Sequence, residues 1–173
     1  MKWGGGVVRQ CFKSRPQKGQ RNLTFFIFMN MEDSQDFVVY PSEFMDGMNI
    51  TVIFKENDRY NELVPIFEKF GYGFVAPEFK TIMIDGETFI GDDGLTMDDL
   101  RFIEAHEISH LKLGHNGPRS MQDELEADLG AYVLLKKKGY DKSIQRLIEE
   151  FEHRHGIEFN EELLYKIKDR FQF

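Results

Sequence analysis

The sequence predicts an α+β domain. Three observations carry that expectation. Short runs rich in Val, Ile and Phe crowd residues 37–90, long capped helical patterns fill residues 96–171, and there is no internal repeat. A small twisted N-terminal sheet should therefore pack on the first long helix, followed by a helical C-terminal half.

The elements follow in order. Phe37 to Tyr40 and Asn49 to Lys55 read as strands. Residues 59–70 read as a helix stopped by Gly71, with Pro65 weakening its first half. Phe79 to Ile84 and Glu87 to Ile90 flank Asp85-Gly86, a hairpin signal. Thr96 caps a helix of about 17 residues, with Asp98 and Asp99 in its first turn and Gly114 as its stop. Leu100, Ile103, Ile108 and Leu111 form its apolar stripe. A second helix runs from a Ser120 cap to Lys138, stopped by Gly139. Asp141 to His155 and Asn160 to Phe171 read as closing helices, separated by Gly156.

Charge divides the chain. Residues 1–31 hold six Lys/Arg and no acid, leaving 16 Lys/Arg against 30 Asp/Glu in residues 32–173. The first segment reads as a disordered leader or as coding sequence ahead of a start at Met29 or Met31, in preference to a transit peptide. Residues 32–173 read as one domain, with 17 Phe in the chain to help fill its core. So acidic a body is a poor nonspecific binder of nucleic acid. One cysteine, Cys11, excludes an internal disulfide and the thiolate zinc sites of fingers and ribbons. No apolar run reaches the ~20 residues of a membrane span, which makes the cytoplasm the simplest compartment.

The chemistry gathers in the two central helices. His106-Glu107-Ile108-Ser109-His110 is an HExxH pattern. Its histidines, four apart, share one helix face and can hold one Zn²⁺ at roughly 2.0–2.1 Å each. Glu107 can then lean over the open coordination position as a base. On the next helix Glu124 and Asp128 are also four apart. The short connection through Gly117 and Pro118 should fold that helix back antiparallel, so that Glu124 reaches the metal as third ligand. Asp128, one turn on, can accept the other ring N–H of a ligating His. Small Ala127 permits close approach.

Competing residues have quieter readings. Glu126 points roughly 160° away from Glu124 around the helix and reads as a solvated acid. His115 reads as a helix-end residue. The third histidine of an HExxHxxGxxH pattern would fall at Asn116, and its glycine position is Leu113. His153 and His155 read as exposed. Tyr132 and Tyr140 are candidate oxyanion donors, with core packing the favoured reading for both.

HExxH followed by ExxxD resembles the gluzincin pattern of zinc metallopeptidases. Over His106 to Asp141 the chain resembles the catalytic cores of the HtpX-like and CAAX prenyl protease group, which share the following Gly-His and the E-x-x-A-D helix. It is also similar to the ImmA/IrrE family, whose ExEA segment it carries, with Asp128 where Asn is common there. The resemblance implies a zincin-like fold with His106, His110 and Glu124 as zinc ligands, Glu107 as catalytic base and Asp128 as the acid behind the ligands. It implies one catalytic Zn²⁺, hydrolysis of a protein or peptide substrate through a zinc-bound water activated by Glu107, and a substrate strand laid along a sheet edge. Thr81 to Ile84 is the candidate edge, with an internal strand equally weighted. The alternative is an ImmA/IrrE-type zinc module with restricted or no proteolysis. A zinc-dependent RNA endonuclease of the YbeY type fits less well, because it uses three histidines and this body is acidic.

Overall fold

The computed structural model describes residues 36–90, 94–115 and 119–171. The expected leader, residues 1–31, lies outside them, as do Asn116 and the Gly117-Pro118 pair.

The fold is α+β. Its strands are β1 (Phe37–Pro41), β2 (Asn49–Ile53), β3 (Gly73–Ala76) and β4 (Thr81–Asp85). They form one mixed sheet in the order β1-β2-β4-β3. Alternation makes β1 two-faced, with Val38 and Tyr40 buried and Phe37 and Val39 exposed. The β2–β4 pair is parallel, so a crossover must join them. That crossover contains α1 (Tyr60–Phe70) and β3, which then pairs antiparallel with β4. Pro65 is accommodated within α1 on its solvent side.

In this region one expectation needs correction and one open choice is decided. The Asp85-Gly86 signal makes no hairpin. Residues Gly86–Phe89 form a 3₁₀ turn, capped by the Asp85 side chain accepting from the Glu87 N–H. Glycine is needed there for another reason: a Cβ on Gly86 would lie 2.5 Å from the Phe54 ring. The real hairpin joins β3 to β4 through Pro77–Phe79, with Lys80 left-handed. Thr81 to Ile84 is accordingly an inner strand, and β3 is the edge on that side.

The helices are α2 (Met97–Leu113), α3 (Met121–Lys138) and α4 (Asp141–His155). Both α2 and α3 open with a capping box, Thr96 with Asp99 and Ser120 with Asp123, and both end on a left-handed glycine, Gly114 and Gly139. Every residue from Asp99 to His110 is buried, because α2 lies under α3 and α4 and against β3. Residues late in α2 meet residues early in α3, as antiparallel packing requires. The two helices approach closely at Gly130, where a Cβ would sit 2.8 Å from Ser109. After α4 the chain makes a 3₁₀ turn, Glu161–Lys166, in place of the expected helix to Phe171. Ile167 and Phe171 are drawn into the core beyond it. No described helix is long and apolar enough to cross a membrane.

Candidate metal centre

Burying α2 from Asp99 to His110 is costly unless its polar side chains find partners. Two faces of the α2–α3 interface show how His106 and His110 do so. His106 Nδ1–H donates to Asp128 Oδ1 at 2.7 Å. A carboxylate accepts only, so the hydrogen bond fixes the proton on Nδ1 and turns Nε2 inward. There Nε2 stands 3.0 Å from His110 Nε2 and 3.2 Å from Glu124 Oε2. His110 Nε2 is 3.5 Å from Glu124 Oε1.

These spacings test whether a metal fits. Ligand atoms about 2.0–2.1 Å from a tetrahedral ion stand roughly 3.3–3.4 Å apart. The observed separations of 3.0, 3.2 and 3.5 Å bracket that edge length. The donor set, two imidazoles and a carboxylate, suits zinc, and the residues fit the ion. The structure thus brings His106, His110 and Glu124 together, as the spacing anticipates, with Asp128 behind His106.

Electrostatics describe the same electron-rich centre. Burial alone would lower the His106 pKa, but Asp128, Glu124 and Glu107 outweigh it and raise it to about 9. Burial lowers His110. Burial pushes the Glu124 carboxyl up, yet the two imidazoles hold it far below the usual range. Asp128, likewise raised by burial, is brought down to about 2 by His106, His155 and Arg154.

Glu107 is buried beside the ligands and is engaged by Arg119. Arg119 Nη2 donates to Oε2 at 2.7 Å and Nη1 to Oε1 at 3.3 Å. The same guanidinium reaches Glu124 Oε1 at 3.9 Å and lies over the Phe70 ring. Phe70 in turn meets Phe74 of β3, so the edge strand lies on the Glu107 side of the centre.

Several quieter readings need revision. His155 is not exposed: its Nε2–H donates to Asp128 Oδ2 at 2.8 Å, whereas His153 is at the surface. Glu126 is not solvated. It accepts from Gln122, from Arg170 and from His115, because His115 and the C-terminal segment cover the side of α3 that faces away from Glu124. Tyr132 and Tyr140 lie outside the centre, with hydroxyls donating to Glu161 and Glu43. Arg119 and Arg154 had no sequence signal, since each reaches the site from beyond the two motifs. The Gly114-His115 pair did offer one.

Compared with known proteins, the chain matches no family model, and no curated protein or solved structure gives a match.

Proposed function

We propose that this chain is a zinc metalloendopeptidase of the gluzincin type, hydrolysing protein or peptide substrates. The observation that carries the reading is the convergence of His106 Nε2, His110 Nε2 and Glu124 on one point beside Glu107. Bound zinc would supply Lewis acidity there, making water acidic near neutral pH and polarising a carbonyl. Glu107 takes the proton of the attacking water and passes it to the leaving amine. To do so it must release one oxygen from Arg119, whose guanidinium is then free to donate to the developing oxyanion. Asp128 keeps His106 in the ligating tautomer. Among the described residues β3 is the outer strand beside β4, a position suited to pairing with an extended substrate. A mixed sheet with this edge beside an HExxH helix supports a zincin-like fold.

A second reading has one observation in its favour. Both oxygens of Glu107 are held by Arg119, which suits a zinc module of the ImmA/IrrE type with restricted or no proteolysis. Unfolded casein discriminates the two. Chelator-sensitive cleavage by the zinc-loaded chain, reduced at least about 100-fold in Glu107→Gln with zinc retained, supports the peptidase. Equal rates in parent and variant would remove Glu107 as the base, and no cleavage by either would favour the second reading.

A further inference from the structure

We infer that His115, braced by Glu126 and Arg170, is a positioning residue that fixes the ligating tautomer of His110. The inference rests on the metal-centre reading above and extends it to residues outside HExxH…ExxxD.

His110 lies in the last turn of α2, four residues before the Gly114 stop. Helix ends are where side chains and backbone are least constrained. Its ring nevertheless has a partner on each nitrogen. Nε2 faces His106 and Glu124, and Nδ1 stands 2.9 Å from His115 Nδ1. Two nitrogens at that distance must share one proton, and the surroundings decide which carries it. His115 Nε2 lies 3.2 Å from Glu126 Oε2, an acceptor, so the His115 proton belongs on Nε2. His115 Nδ1 then holds a lone pair and must accept. His110 Nδ1 is therefore the donor, which leaves the His110 Nε2 lone pair directed at the ligand cluster.

Glu126 is held in place for this task. Its Oε1 accepts from Gln122 at 2.8 Å, and its Oε2 also accepts from Arg170. Gln122, one turn earlier, lies on the same helix, whereas Arg170 comes from the segment after the last 3₁₀ turn. His115, Asp123 and Glu126 also bring ligand atoms within 4.8 Å of one another, a grouping that could hold an ion of its own. Their partners argue against that. Arg170 already supplies Glu126 with a cation, Asp123 accepts from the Ser120 N–H and hydroxyl in its capping box, and His115 Nδ1 is committed to His110. The two ligating histidines are thus oriented by different means: His106 directly by a carboxylate, His110 by a carboxylate acting through a second imidazole.

The test uses the full chain. Zinc affinity is measured by chelator competition for the parent, His115→Phe and His115→Gln. Phe fills the space without accepting a hydrogen bond. Gln can accept from His110 and donate to Glu126. The expected result is an affinity loss of about 10–100-fold in His115→Phe, most of it recovered in His115→Gln. Long-range ¹H–¹⁵N spectra of the zinc-loaded parent should show His110 protonated at Nδ1 and His115 at Nε2. These spectra decide the matter should His115→Phe fail to fold. Parent-like affinity in His115→Phe, or a His115 proton on Nδ1 in the loaded chain, overturns the inference and leaves the metal centre standing. A parent that takes up no zinc overturns both.

Discussion

Two buried clusters on α2 answer the cost of burying polar groups in opposite ways. Glu104 is 1 % exposed, and its Oε1 accepts from the Ser42 hydroxyl and the Glu43 N–H, each at 2.7 Å. Asp99 is similar, accepting from Thr96 and from Arg146. These acids are met by donors supplied from the fold itself. Two residues beyond Glu104, the Nε2 atoms of His106 and His110 meet the Glu124 carboxylate of α3, with separations of 3.0–3.5 Å. Burial by itself therefore does not mark a site. What sets this cluster apart is that three groups able to ligate a cation face one another at ligand spacing.

The largest effect should come from Asp128→Ala. It strands His106, His155 and Arg154 without their shared acceptor. A stability loss of about 3–5 kcal/mol in the metal-free chain is expected, with zinc affinity down about 10–100-fold. Denaturant melts and chelator competition report the two, and unchanged affinity would detach Asp128 from the centre. Glu104→Ala should sharpen the contrast. It leaves two donors unpaired and costs about 1–3 kcal/mol, yet zinc affinity should stay at the parent value. A loss of affinity there would erase the distinction between the clusters.

Asp99→Ala should be the smallest, about 1 kcal/mol from the lost cap. Burial pushes the Asp99 carboxyl up, but donors from Thr96 and Arg146 outweigh it and hold it below its ordinary value. Its stabilisation is therefore complete above the unfolded pKa and lost as pH falls through the lower folded one. The gap between parent and variant should close on acidification below about pH 4. A gap that persists there would show the cap acting independently of the charge.

Much of the centre was legible because its signals are local. The four-residue spacings of His106 with His110 and of Glu124 with Asp128 fix two helix faces. The caps at Thr96 and Ser120 and the stops at Gly114 and Gly139 fix the helix ends. What escaped depends on distant partners. Glu126 looked solvated until Arg170 and His115 covered it, and His155 looked exposed until it met Asp128. Asp85-Gly86 resembles a hairpin turn, but its glycine answers the approach of Phe54, and no turn signal encodes that contact. The inner place of β4 follows from a parallel pairing with β2 across α1, which local alternation does not reveal.

The most direct test of the central claim is zinc content of the purified full chain beside Glu124→Ala. The account predicts about one zinc per parent chain and a lost or much weakened ion in the variant. A folded parent that remains zinc-free after supplementation would contradict it, and the peptidase proposal would fall with it.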